Sequence, residues 1–367
     1  AGSYGIGGKG LGDFRIFLED SLVAESSSEH EIITRWAHAG LTEGEGVDIR
    51  VEYRPRREFG AIQLVWDPPG PNLSNAALRA AESADVVVMV MGLSPRLEGE
   101  ELQVDVPGFG GGDRVDIGLP SVQRDLLQAV SATGKPVVLV LLNGSALAIP
   151  WAADNIPAIL EAWYPGQAAG TAIADVIFGD YNPAGRLPVT FYRSVEDLPP
   201  FESYDMEGRT YRYFRGDPLF PFGHGLSFTR FSYRNFLLPD SVSVGQDVTV
   251  SVDIRNEGGR EGEEVVQLYL TDLDAPVPVP VRTLVGLERI FLEAGKERTV
   301  TFTIAPEAFT HIDASGDRIQ AAGSFTVSLG GNQGGWSGVG GSVSARGGAG
   351  GGGGVGGARG EWAGGGG

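Results

Sequence analysis

Residues Asp85–Met91 (DVVVMVM) are apolar on both faces of any strand they form, and such a strand is stable only when other layers cover it on both sides. That one segment forces an α/β layer into the chain. Its neighbours agree. Ser74–Ser83 is alanine-rich and reads as a helix, and Pro120 suits the first turn of another. Val122, Leu126, Ala129 and Val130 then follow at helical spacing. Strands are expected at Pro136–Leu142 and Ala158–Trp163, with a helix over Gln167–Phe178 that buries Ala169, Ala172, Ile173, Val176 and Ile177. Strands separated by helices of this length build right-handed βαβ units and a mainly parallel sheet.

The flanking segments follow a different period. Asp13–Leu18, Val47–Tyr53 and Ala61–Trp66 read as strands between polar or glycine-bearing turns. Asp67–Pro71 (DPPGP) is a breaker cluster and marks a domain boundary, because proline neither donates to a ladder nor continues a helix. From about Phe231 the chain is all-β again. In Asp247–Asn256, Val248, Val250, Val252 and Ile254 alternate with Thr249, Ser251, Asp253 and Arg255, and Glu264–Thr271 and Arg298–Ile304 repeat the pattern. This spacing predicts a β-sandwich of the immunoglobulin or fibronectin type ending near Leu329. Residues 330–367 are glycine-rich and are expected to be disordered. Their Gly, Ala, Arg, Trp and Glu share G-rich codons, which suggests a shifted reading frame.

Charge narrows the partners. The 28 basic and 47 acidic residues give a net charge of −19, the wrong sign for nucleic acid or an anionic membrane. A neutral ligand such as a sugar is compatible with it. The absence of cysteine excludes disulfides and thiolate metal sites. The four histidines, at 30, 38, 224 and 311, lack zinc-ligand spacing, so neither a metal nor a cofactor is expected. No stretch approaches membrane-span length. The opening AGSYGIGGKG has no initiating Met and no apolar leader, as in an internal fragment of a longer protein. Its Gly5–Gly10 segment matches G-x-G-x-x-G, but no strand precedes it and a strand rather than a helix follows, so it fails as a dinucleotide loop.

The chemistry concentrates in residues 92–114, a glycine-rich loop straight after the DVVVMVM strand. Ligands of open α/β sheets collect at loops of this kind. Glu98, Glu100 and Glu101 crowd there, and crowded carboxylates are a usual route to an acid that still donates a proton near neutral pH. The same residues also suit a solvated acidic turn, or a loop gripping a hard cation. Glycoside hydrolysis needs an acid and a second carboxylate. The loop offers the first, and no comparably placed partner stands out. Asp113 and Arg114 form either a pair that orders Gly108–Gly112 or a surface pair of little energetic value. Trp151, Trp163 and Tyr164 could stack on sugar rings, although core packing is the commoner role for such residues.

Taken together, these stretches resemble glycoside hydrolase family 3. VVVMVMGLSPRLEGEELQVDVPGFGGGDRVDIGLPSVQRDLLQAV is similar to the family's second, α/β-sandwich domain around its acid/base glutamate. VVLVLLNGSALAIPW, ILEAWYPGQAAGTAIADVIFGDYNPAGRLPVTF, YRYF and FPFGHGLSFTRFSY resemble its later stretches, and 247–329 its fibronectin-like domain. Residues 12–69 resemble the second half of the protective-antigen-type β-sandwich that some members carry as an insert.

The resemblance implies four parts: a partial protective-antigen-type β-sandwich (1–70), the second half of an α/β sandwich domain (71–230), a fibronectin-III-like domain (231–329) and a disordered tail (330–367). It implies a retaining exo-glycosidase for β-linked glucosides or xylosides, periplasmic or secreted in the parent protein. Matching Glu-x-Glu to Glu98-Gly99-Glu100 makes Glu100 the acid/base, with Glu98 or Glu101 as fallback and Asp113 and Arg114 as loop-ordering neighbours. A long insert separates Glu100 from Asp113-Arg114, where many members have the two almost abutting. The family's aspartate nucleophile belongs to an N-terminal barrel that this chain lacks, so the chain alone is expected to be inactive. Two other roles fit the residues: a non-catalytic carbohydrate-binding or adhesion module, and an accessory subunit that docks onto a barrel encoded upstream or in trans.

Overall fold

The computed structural model describes residues 2–56, 60–67, 73–98, 106–110, 113–320, 322–332 and 338–346. The chain divides into two compact units, Ala1–Leu141 with Asn155–Glu161, and Leu142–Asp154 with Ala162–Gly367.

The first unit opens with a long hairpin, β1 (Gly2–Leu18) and β2 (Ser21–Leu41). β1 also pairs with β3 (Ile49–Arg54) along one half and β4 (Ile62–Asp67) along the other. The sequence pattern shows only the C-terminal third of β1 and none of β2. The reason is local: β1 carries Gly5, Gly7, Gly8, Gly10 and Gly12, and β2 carries the polar run Glu25–Glu31. The glycines serve close approach. A Cβ at Gly8 would fall 2.8 Å from both Ile16 and Phe14, so this strand folds back on its own apolar half. Ile6, Phe14, Ile16, Leu18 and Ala24 form the small core that results. The G-x-G-x-x-G segment is therefore β-strand and not a phosphate-cradling loop.

After α1 (Leu73–Ser83) comes β5 (Val87–Gly92), followed by the short α2 (Pro95–Glu98) and the two-residue strands β6 (Phe109–Gly110) and β7 (Asp113–Arg114). Helix α3 (Ser121–Ser131) leads to β8 (Val137–Leu142), and α4 (Pro150–Asn155) precedes β9 (Ala158–Glu161). The sheet order is β5-β8-β9, with β8 and β9 parallel. β8 is the buried centre: Val137, Leu139, Val140 and Leu141 are all at most 2% exposed. β5 departs from expectation. Met89 is buried, but Val86, Val88 and Val90 are about half exposed, so among the described residues this strand has cover on one face only.

The second unit contains α5 (Ala169–Phe178), ended by left-handed Gly179, then an irregular stretch with the one-turn α6 (Thr210–Tyr213). A β-sandwich follows, along with a two-stranded ribbon of β16 (His311–Ile312) and β17 (Arg318–Ile319). One sheet pairs β10 (Phe231–Leu237), β12 (Val248–Asn256) and β15 (Glu297–Ile304). The other runs β11 (Ser241–Ser243), β19 (Gly338–Arg346), β18 (Gly323–Gly330), β13 (Gly262–Asp272) and β14 (Thr283–Leu292). Val248, Val250, Val252 and Ile254 all point into the core, as their alternation predicts. Burying each such side chain is worth about 1.5–3 kcal/mol.

The expectation of disorder from residue 330 is corrected at Gly338–Arg346. These residues form β19, antiparallel to β18 and parallel to β11, with Val343 and Ala345 buried. Val339, Val343 and Ala345 carry a period-two pattern through the glycines, enough to fill the last lane of the sheet. Residues 347–367 lie outside the described residues.

One polar cluster joins the stretch before the sandwich to both of its sheets. Glu264 on β13 accepts from the Arg186 guanidinium at 2.9 Å and from the Tyr233 hydroxyl of β10 at 2.9 Å. The Arg186 and Glu264 side chains are 9% and 5% exposed. The Gly331 carbonyl accepts from Arg186 Nε (3.2 Å) and Gln267 Nε2 (2.8 Å), and Gln267 also donates to the Gly223 carbonyl. A Cβ at Gly331 would fall 2.6 Å from Glu264 Oε1, so only glycine fits. Beside the cluster His224 stacks on Phe220 at 5.2 Å, and burial and then the Arg186 charge hold its pKa below the ordinary value.

Arg186→Met should lower the unfolding free energy by about 3–5 kcal/mol in urea denaturation, because it strands a buried carboxylate. The Arg186→Met/Glu264→Leu double variant should recover part of that loss. A cost no larger than that of breaking the exposed Arg193–Asp217 pair would contradict this reading. His224 gives a pH prediction. The unfolded state protonates this ring near pH ~6.5 while the folded state resists, so stability falls as pH drops through that value. Between about pH 7.5 and about pH 5.5 the melting temperature should fall less in His224→Phe, which keeps the stacked ring.

Candidate functional site

The acidic loop leaves the sheet at Gly92, whose φ of +132° is poorly open to residues with side chains. Gln123, on the first turn of α3, holds this exit with both ends of its amide. Its Nε2 donates to the Gly92 carbonyl at 2.8 Å, and its Oε1 accepts from the Gly92 N–H at 2.8 Å. The side chain thus does for Gly92 what a neighbouring strand's peptide would, and fixes the direction in which the chain departs.

Ser94 then starts α2. Its carbonyl accepts from the N–H groups of Leu97 and Glu98, each at 2.9 Å, and its hydroxyl accepts from Leu97 N–H at 3.2 Å. A serine cap followed by Pro95 is a favoured way to begin a helix. Glu98 closes this turn and is half-buried. Glu100 and Glu101 lie outside the described residues.

The chain returns through a small ribbon in which Phe109 pairs with Arg114 and Gly110 with Asp113. The Gly108 carbonyl accepts from Val115 and Asp116 N–H, and Asp116 in turn accepts from Gly118 N–H at 2.8 Å. Asp113 is exposed and Arg114 half-buried, and Arg114 Nη2 donates to the Gly118 carbonyl at 3.4 Å. As adjacent strand residues they project to opposite faces of the ribbon. The Gly92–Gln123 pair thus brings the C-terminal end of β5 to the start of α3.

The aromatic candidates belong to the second unit. Trp163 lies edge-on to buried Phe191 with ring centroids 6.1 Å apart, a core contact, while Trp151 is half-buried and Tyr164 more exposed. The Gln123 clamp has no counterpart in the sequence reading. Its partner lies 31 residues away, and nothing in the local pattern of a helix start marks it.

Comparison with known proteins places this geometry. The family model described as the glycosyl hydrolase family 3 C-terminal domain matches residues 8–228, and a fibronectin type III-like domain matches 264–333. The chain is 38% identical over 315 residues to a xylan 1,4-beta-xylosidase of Xylanibacter ruminicola, covering 86% of this chain and 36% of that protein. It is 41% identical over 279 residues to a periplasmic beta-glucosidase of Salmonella typhimurium, covering 72% of this chain and 35% of the relative. The crystal structure of a beta-glucosidase from Kluyveromyces marxianus superposes with a TM-score of 0.72 at 27% identity, over 94% of this chain and 44% of that one. The chain thus spans little more than a third of the length of these curated relatives. With more than half of its residues matched by the first of these domains, the chain belongs to glycosyl hydrolase family 3 and comprises the C-terminal portion of such a protein.

Proposed function

We propose that this chain is the acid/base-bearing portion of a retaining, exo-acting β-glucosidase or β-xylosidase, periplasmic or secreted, with Glu100 as proton donor. What supports the reading is the sequence: three glutamates within residues 98–101 follow a strand end, Gly92, that Gln123 holds, in a family 3 domain. In the parent protein Glu100 protonates the glycosidic oxygen as the bond to the leaving group breaks. It then takes a proton from the water that releases the glycosyl-enzyme. Glu98 and Glu101 are the alternatives for this role, and Asp113 and Arg114 order the return of the loop.

Double displacement needs a second carboxylate about 5–5.5 Å from the acid. We assign it to a barrel domain encoded upstream or supplied in trans, so the isolated chain has no turnover. Val86, Val88 and Val90 are half-exposed, so this strand, apolar on both faces, calls for further cover.

In a full-length parent, Glu100→Gln should slow hydrolysis of alkyl glycosides by roughly 10²–10⁴-fold. Aryl glycosides with good leaving groups should suffer far less in their first step, because they need little proton donation. Glu98→Gln and Glu101→Gln should leave that contrast small. Equal losses on both substrate types for Glu100→Gln would reject the assignment. Gln123→Leu, remote from the reacting atoms, should lower kcat more than it raises KM, because it releases the strand end that precedes the acid. The 367-residue chain alone should not hydrolyse an aryl β-glucoside or β-xyloside, and measurable release of the phenol would overturn that part of the reading.

A further inference from the structure

The two most exposed aromatic side chains in the described chain sit on one loop, and that loop is held rigid. Between Pro199 and Arg209, Phe201 is 83% exposed and Tyr204 is 99% exposed. A slack surface loop could carry such residues at random, but this one is tied from within. The Arg209 guanidinium donates to three carbonyls of the loop, those of Ser203 (2.6 Å), Pro200 (3.2 Å) and Asp205 (3.0 Å). Ser203 N–H returns to the Pro200 carbonyl, and Arg209 N–H to that of Met206. Gly208, at φ +73°, packs so closely on Pro199 that a Cβ would come within 3.2 Å of the ring.

The exit of the loop is strained. Thr210 has φ +56°, a left-handed conformation that β-branched residues avoid. Its N–H donates at 2.9 Å to the hydroxyl of Tyr192, whose ring lies edge-on to Phe214. Beyond it, Tyr211 stacks on Phe222 at 4.2 Å and its hydroxyl accepts from Leu284 N–H of β14. The loop is therefore mounted on the sandwich through α6. Strain held in place by surrounding structure is characteristic of sites that must hold one shape.

We propose that the Pro199–Arg209 loop binds sugar, with Phe201 and Tyr204 stacking on pyranose rings of a β-linked gluco- or xylo-oligosaccharide. Chemistry selects the ligand class. Glu202, Asp205 and Glu207 are interleaved with the aromatic rings and exposed. Carboxylates only accept hydrogen bonds, and sugar hydroxyls supply donors. Acidic residues are depleted from the desolvated centres of protein–protein interfaces, and they repel phosphate and anionic lipid. Aromatic faces offer large contact area at low entropy cost. The choice of β-linked glucose or xylose rests on the family 3 reading above.

The test uses the whole 367-residue chain with cellotetraose and xylotetraose in titration calorimetry. Saturable binding of at least one is expected. Phe201→Ala and Tyr204→Ala should each raise Kd by roughly five- to tenfold, the loss of one stacked ring, while Tyr204→Phe stays near the parent value. Both side chains are exposed, and unchanged melting curves will show that the variants fold. Absence of saturable binding to either sugar overturns the proposal, and so does binding that the alanine variants leave intact. So does self-association that the alanine variants abolish without any effect on sugar. No catalytic group enters this assay. Failure here with a successful Glu100→Gln experiment rejects the loop alone, and the reverse pattern rejects the acid/base assignment alone.

Discussion

The Arg186–Glu264 pair is the constraint on which the second unit depends. Glu264 stands on one sheet of the sandwich, Tyr233 on the other, and Arg186 belongs to the stretch that precedes both. Two charges taken out of water at this point cost more than their mutual attraction returns unless every remaining donor and acceptor is occupied. The surroundings meet that condition through the Gly331 carbonyl, Gln267 and the Tyr269 hydroxyl that donates to Gln267 at 2.6 Å. A partial arrangement would be worse than an apolar one. The sheets and the preceding stretch therefore lock in one relative position, where apolar packing alone would tolerate slippage.

How far the fold was legible in the sequence depended on whether local pattern and burial agreed. They agree in β12, where alternation alone places Val248 to Ile254 in the core. They also agree in β8, a continuous apolar run. They part company in β2, where the polar run Ser26–Glu31 interrupts the apolar residues at either end and hides one continuous strand. The same holds in β19, where glycine content masks the period-two set Val339, Val343 and Ala345. Glycine density looks like disorder because most glycine-rich segments have nothing to bury. Here a few small side chains fill the last lane of an already formed sheet.

The candidate site was legible as residue types and illegible as geometry. Three glutamates after a two-sided apolar strand can be found by reading along the chain. Gln123 and Arg209 cannot, because each acts on backbone atoms. Gln123 grips both polar atoms of Gly92, and Arg209 gathers three carbonyls. Side chains that bond to backbone leave no complementary residue type to look for. They matter because an acid or a stacking ring is useful only if its position is fixed before the ligand arrives.

Electrostatics adds a reason for placing such chemistry on this chain. A net charge of −19 sets a negative potential around it, and a negative potential favours the protonated form of any acid it surrounds. A general acid must hold its proton until the leaving oxygen needs it. The same field is indifferent to an uncharged sugar. It would repel a phosphorylated ligand and leave a neutral one untouched.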